Sequence, residues 1–372
     1  MLTWIELNAE NLRHNFRVFA KIVGAAKLAP VLKSNAYGHG LKEVYSALSQ
    51  EPLAWISVNY VEEGVALRRL GFKGRILVVG PFIPAELKVA HDETLELFLG
   101  HPEGLLAWQQ AQEKPAVHIE FDTGMSRQGF RPNDAEKVAQ SLLPQKDLVK
   151  GVCMHFANVE DVTEHEYARL QLKKFDDAKS KFMSRGFSFI AHSASSASVL
   201  ILDESRFDLA RVGIALYGFW PSQATRLSYK QLYGDLVELR PVLSWRTKIT
   251  SINHVSQGQY VGYGCTYKAR HDMVIGVLPI GYFEGYPRMA SGSQAYVLIG
   301  GERCPIVGRI CMNMMMVDIT DIALTAKVGD IATLIGPDGM ETISASEVAA
   351  WSETIHYELV TRLNPAIERR LI

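Results

Sequence analysis

The chain has 372 residues, 48% of them hydrophobic and 21% charged, a balance that supports a large folded core and excludes general disorder. At about 150 residues per domain, that length predicts two domains or three. Lys plus Arg number 39 and Asp plus Glu 40, a net charge of −1, which argues against nucleic acid or an anionic membrane as partner. The 4 cysteines include no CxxC pair, so neither a disulfide framework nor thiolate zinc is expected, and a reducing, cytoplasmic compartment is. The first 11 residues carry acidic groups and no apolar stretch, so no signal peptide is expected. No run of 18 apolar residues exists that would span a membrane.

In chain order, residues 2–7 alternate and predict a strand. Apolar or β-branched runs then predict strands near 28–33, 55–59, 76–80, 95–99, 116–122, 149–156, 187–193 and 207–214. Helical patterns separate most of them. One covers 62–70, with Val65, Leu67 and Leu70. Another covers 165–185, with Tyr167, Leu170, Phe175, Ala178 and Phe182 on its apolar stripe. Eight such alternations predict a (β/α)8 TIM-type barrel. A doubly wound sheet usually places a GxGxxG fingerprint after its first strand, and none follows Lys33. Beyond about residue 235, long helical patterns vanish until 344–351, and alternating segments predict a mostly antiparallel β domain. Its turns are expected at Gly300-Gly301 and at Pro337-Asp338-Gly339. The expected domains are therefore residues 8–234, and residues 1–7 with 235–372.

HExxH, Walker A and GxSxG motifs are absent, and the histidines do not cluster at ligand spacing, so no metal site is expected. In a (β/α)8 barrel the catalytic groups sit at the carboxyl ends of the strands. Lys33, Arg127, His155, His192-Ser193 and Arg211 all fall there. Any one of these could be a structural ion or a cap; five facing one mouth favour a site. A lysine closing the apolar run Pro30-Val31-Leu32 loses hydration, which lowers its pKa and makes the amine a nucleophile. The loop at Gly213 follows the last strand, where such barrels bind phosphate through backbone N–H groups, and Ser193 could add a hydroxyl. A nucleophilic lysine with a phosphate cup suggests pyridoxal 5'-phosphate.

The run Val31-Leu32-Lys33-Ser34-Asn35-Ala36-Tyr37-Gly38-His39-Gly40 resembles the alanine racemase family. Matching segments continue at 121–129 (FDTGMSRQG), 154–157 (MHFA), 211–218 (RVGIALYG), 262–267 (GYGCTY), 278–285 (LPIGYFEG), 307–318 and 356–359, over essentially the whole chain. The resemblance implies a pyridoxal-phosphate barrel plus a β domain, with active sites shared across a homodimer. It implies an isomerase interconverting L- and D-alanine by two bases, with D-alanine going to cell-wall peptidoglycan. A racemase of broader range on the same fold is the alternative. By the same resemblance, Lys33 attaches the cofactor and is one base, and Tyr263 of the other subunit is the second. Arg127 bridges cofactor and substrate carboxylate. Arg211 faces the pyridine nitrogen, with His155 beside it. Tyr37, Ser193, Gly213, Ile214 and Tyr357 hold the phosphate. Met312 offers a backbone N–H to the substrate, and Tyr282 lines the entrance. An arginine cannot hand a proton to the pyridine nitrogen, so the ring remains a restrained electron sink, which suits racemisation. Two departures stand out. Glu120 replaces a lysine, sometimes carbamylated, that orients the arginine in many relatives, and Asn313 replaces a common aspartate.

Overall fold

The computed structural model describes residues 2–292 and 294–372. The chain divides into two compact units. One comprises residues 10–36 and 44–241. The other comprises the segment through Ala9, Tyr37–Glu43 and Val242–Ile372. The first strand, β1 (Thr3–Leu7), belongs to the latter.

The larger unit holds eight short strands: β2 (Leu28–Pro30), β3 (Trp55–Val58), β4 (Arg75–Val78), β5 (Leu95–Leu99), β6 (Val117–Glu120), β7 (Val149–Cys153), β8 (Ile190–His192) and β9 (Ala210–Val212). Strands β3 to β8 pair in parallel, in sequence order. Strand β2 pairs in parallel with β9, Leu28 opposite Ala210, and a bridge from Val31 to Ser57 joins its end to β3. The Asp208 N–H donates to Ala191 O and the Arg211 N–H to Ala194 O, linking the segments of β8 and β9. The result is the eight-stranded parallel barrel that the alternation predicts. Every residue of β3, β5 and β6 is buried, as expected of strands covered on both faces. The helices Val61–Arg69 and Glu166–Ser184 lie where the periodicity places them. The stripe of the second is shifted, however. It buries Ala168, Gln171, Leu172, Phe175, Ala178 and Phe182, while Tyr167 and Leu170 are exposed. The Tyr167 hydroxyl instead donates to Gly124 O at 2.8 Å.

The smaller unit is built on β10 (Leu243–Lys248), β11 (Ser251–Val255), β12 (Tyr260–Val261), β13 (Tyr267–Lys268), β14 (Met273–Leu278), β15 (Tyr296–Ile299), β16 (Glu302–Val307), β17 (Met315–Asp318), β18 (Ile331–Asp338), β19 (Glu341–Ile343) and β20 (Glu368–Leu371). One sheet runs β11-β14-β17-β16-β15-β18-β10-β1-β20, with β19 on β18; β12 and β13 form a separate ribbon. All its pairings are antiparallel except β1 with β20. Ile5, Leu7, Trp245, Val297, Val317 and Leu334 are buried in it. The β15–β16 hairpin turns at Gly300-Gly301, both at positive φ (61° and 86°), as a two-residue turn of that hand requires. The next turn is displaced from its expected place. Pro337 pairs with Thr342 inside the ladder, and the chain reverses at Gly339-Met340.

The division falls later than the texture change near residue 235, because residues up to Pro241 remain with the barrel unit. Asn15 donates to Arg240 O at 2.8 Å and accepts from the Arg240 N–H at 2.9 Å. Gly218, at φ 87°, runs so close that a Cβ there would lie 2.0 Å from Arg240 O. The segment Tyr37–Glu43 joins the β unit for a similar reason: Arg369 donates to Gly38 O at 2.9 Å. Among the described residues, no helix is long and apolar enough to cross a membrane.

Candidate active site

In the barrel unit, Lys33 lies just past the Val31–Ser57 bridge that ends its strand. The three residues after it, Ser34, Asn35 and Ala36, have φ of 57°, 53° and 52°, and Tyr37 follows at 52°. Four consecutive L-residues in the left-handed helical region are strained by about 1–2 kcal/mol each. Glu63 helps to hold the turn. Its carboxylate accepts from the N–H groups of Ser34 at 2.6 Å, Asn59 at 2.7 Å and Tyr60 at 3.3 Å. Burial, then the positive charge of Arg127, keeps the Lys33 amine below the ordinary ammonium range; Glu63 opposes this and Arg211 adds to it.

Arg127 sits on the loop after β6. Asp122 organises that loop: its Oδ1 accepts from the N–H groups of Gly124, Met125 and Ser126 at 3.1, 2.9 and 2.9 Å. Glu120 ends β6, buried, and its Oε2 accepts from Gln128 Nε2 at 2.6 Å. It therefore supports the loop through Gln128. Burial pushes the Glu120 carboxyl up to about 7, against the pull of Gln128, Arg211 and Arg127. His155 lies two residues beyond β7, and burial with the charges of Arg211, Arg127 and Lys33 pushes it down to about 3. Its imidazole is neutral across the physiological range. Arg211, on β9, is buried; it donates to His192 Nδ1 and to Met154 O at 2.9 Å.

Beyond β9 the chain turns at Gly213 into the short helical turn Ile214–Tyr217. The Tyr217 hydroxyl ties this turn to Val31 O at 2.9 Å, just before Lys33. The hydroxyl at this loop is Ser196, which accepts from the Gly213 N–H at 3.0 Å and the Ala215 N–H at 3.4 Å. Ser193, expected here from the sequence, is turned away: its buried hydroxyl donates to Ser205 O at 2.9 Å. Ser196 is the first residue of the helix Ser196–Ile201, one position past its Ser195 cap, so no local sequence signal sets it apart from its neighbours.

The remaining expected residues belong to the β unit. Tyr263 occupies the turn Tyr263–Cys265 between β12 and β13, flanked by Gly262 (φ 77°) and Gly264 (φ 74°), and is 71% exposed. Met312 and Tyr282 are neighbours: the N–H groups of Tyr282 and Phe283 donate to Cys311 O and Met312 O at 3.2 and 2.9 Å. Asn313 donates to Glu284 on the same turn at 2.8 Å. Tyr357 lies on the helix His356–Thr361. The turn after Tyr37 presses on that helix, since a Cβ on Gly38 would lie 1.8 Å from Val360 O. Burial pushes the Tyr37 phenol up to about 12, so it stays protonated.

In the barrel unit, then, a desolvated lysine and two arginines share one electrostatic environment, with a loop of backbone donors nearby. That set suits an aldehyde-bearing phosphate ester: an amine to condense with the aldehyde and cations and N–H groups to hold the anion.

Comparison with known proteins agrees over both units. The profile described as alanine racemase, N-terminal domain, matches residues 7–221, and that for the C-terminal domain matches residues 242–371. The chain is 36% identical to the alanine racemase of Leptospira interrogans, over 100% of this chain and 96% of that protein. It is 35% identical to that of Carboxydothermus hydrogenoformans, over 98% of each. Among solved structures, alanine racemase from D-cycloserine-producing Streptomyces lavendulae superposes with a TM-score of 0.89 at 30% identity, covering 100% of this chain and 97% of that one. The Bacillus anthracis alanine racemase with bound L-Ala-P gives 0.90 at 31% identity, covering 100% and 95%.

Proposed function

Because the chain belongs to the alanine racemase family, we propose that it interconverts L- and D-alanine with pyridoxal 5'-phosphate bound at the barrel mouth, as a homodimer that supplies D-alanine for peptidoglycan. The observation that carries this reading is the half-buried Lys33 amine just past the end of its barrel strand, depressed by desolvation and by Arg127 and Arg211. When bound, the cofactor supplies the electron sink that makes the alanine Cα–H acidic. The protein's own groups do the rest. Lys33 attaches the cofactor and moves the proton on one side of Cα. Tyr263, exposed on its own chain, is free to serve a second copy as the opposite base. Arg127 pairs with the substrate carboxylate, and a backbone N–H of the partner's Met312 joins it. Arg211 presents a donor that keeps its proton to the pyridine nitrogen. The Ile214 N–H and the Ser196 hydroxyl hold the phosphate, Ser196 in the role expected of Ser193, and the Gly213 N–H joins them on turning from the Ser196 oxygen to which it donates here. Tyr37 and Tyr357 complete the phosphate site, and Tyr282 lines the approach.

The test is a racemisation assay of the cofactor-loaded protein over a panel of L- and D-amino acids, with Lys33→Ala and Tyr263→Phe alongside. Alanine should turn over fastest in both directions. Lys33→Ala should lose activity and the cofactor's bound absorbance, and Tyr263→Phe should impair the two directions unequally. Serine or lysine racemised as fast as alanine would replace this reading with a broad-range racemase. Activity retained without Lys33 would refute both.

A further inference from the structure

Behind Arg211 a chain of polar groups crosses the barrel interior. Each acceptor of Arg211 among the described residues is neutral: His192 Nδ1 and the carbonyls of Met154, His192 and Ser193. A buried cation with only neutral partners is costly unless a counter-charge reaches it. The Glu120 carboxyl acts on it electrostatically without a hydrogen bond, and a second carboxylate lies two rings away. His192 Nε2 and His118 Nδ1 are 2.7 Å apart, and His118 Nε2 is 2.7 Å from Glu96 Oε2. Glu96 is closed off by Arg75, whose Nε and Nη2 donate at 2.5 and 2.7 Å. Both imidazoles are fully buried, and Phe98 packs against each, with ring centroids 6.3 and 5.8 Å away.

The ends of this chain fix every proton within it. Arg211 can only donate, so His192 Nδ1 must accept and Nε2 must carry the hydrogen. That hydrogen goes to His118 Nδ1, which leaves His118 Nε2–H to donate to Glu96. Burial depresses both histidines, which favours the neutral rings this order requires. His118 and Arg75 hold the Glu96 carboxyl down to about 2 in spite of its burial.

The groups come from β4, β5, β6, β8 and β9, so the path must cross β7. It does so at Gly151, where a Cβ would lie 2.0 Å from His118 Nδ1. Any other residue there would push the ring out of line.

We infer that Glu96, His118 and His192 are positioning residues for Arg211, an ordered donor chain that ends on an ionised carboxylate and seats the guanidinium at the mouth. This rests on the proposed racemase reading only for what Arg211 does there. If the order reversed, an Nδ1–H of His192 would confront the Arg211 N–H, donor against donor, and the guanidinium would shift. Glu96→Gln invites that reversal, because its amide can donate to His118. Gly151→Ala breaks the same chain without touching a charge.

The first test is a neutron crystal structure of the deuterated wild-type holoenzyme near neutral pH. Both rings should carry deuterium on Nε2 and neither on Nδ1; deuterium on either Nδ1 overturns the proposal. The second test compares Glu96→Gln and Gly151→Ala with wild type. Each should lower kcat by about tenfold or more, as expected when a hydrogen bond to a charged group is lost, with a smaller change in KM and a shifted absorbance of bound cofactor. Wild-type kcat and absorbance in either folded variant overturn it. If neither variant folds, the neutron result decides alone. The diffraction needs no turnover, so an inactive wild-type protein would refute the racemase reading while leaving the chain of protons intact.

Discussion

Glu120 makes stability depend on pH in a way the structure can quantify. Its carboxyl is pushed from an ordinary 4.5 up to about 7, chiefly by burial. The folded protein therefore holds this proton more tightly than the unfolded chain does. Stability from this group is greatest below about pH 4.5, falls as pH rises toward 7, and above 7 the full cost of a buried carboxylate is present. A displacement from 4.5 to about 7, at 1.36 kcal/mol per unit, puts that cost at about 3 kcal/mol. Glu120→Gln removes the ionisation and keeps an oxygen for Gln128. Urea unfolding of both proteins at one protein concentration, at pH 5 and at pH 8, is the measurement. The glutamine variant should gain up to about 3 kcal/mol relative to wild type between the two values. A wild-type-to-variant difference that does not change with pH would refute the argument, as would a relative loss at pH 8.

Two further outcomes test the loops. Ser196→Ala should weaken binding of pyridoxal phosphate about tenfold, by loss of a hydroxyl near a charged group, while Ser193→Ala should leave affinity nearly unchanged; absorbance titration of the cofactor-free protein distinguishes them. Gly218→Ala places a methyl 2.0 Å from Arg240 O at a left-handed φ of 87°, and calorimetry should register a loss of about 2 kcal/mol or more.

The barrel was legible because its strands are buried on both faces and read as unbroken apolar runs, such as Leu95–Leu99. Its strand ends were less so, because Lys33 and His155 sit beyond the ladder, in loops that no periodicity marks. The hydroxyls of 193–198 look alike in sequence, and only the folded chain shows that Ser196 is the one that meets the Gly213 loop. The stripe of Glu166–Ser184 misread Tyr167, an aromatic used to brace a loop and not the core. The chain behind Arg211 could not have been read at all: His118 lies 22 positions from Glu96 and 74 from His192, and no local pattern links them.

The left-handed turn after Lys33 bears on the order of assembly. Four successive residues in that region cost about 4–8 kcal/mol together, so the unfolded chain has almost no such turn to offer as a nucleus. Its persistence in the folded protein leans on the Glu63 carboxylate that receives the Ser34 N–H. On the proposed reading, the Lys33 amine would then take its final position with the barrel and not before it, and an aldehyde meeting the unfinished chain would find an ordinary lysine.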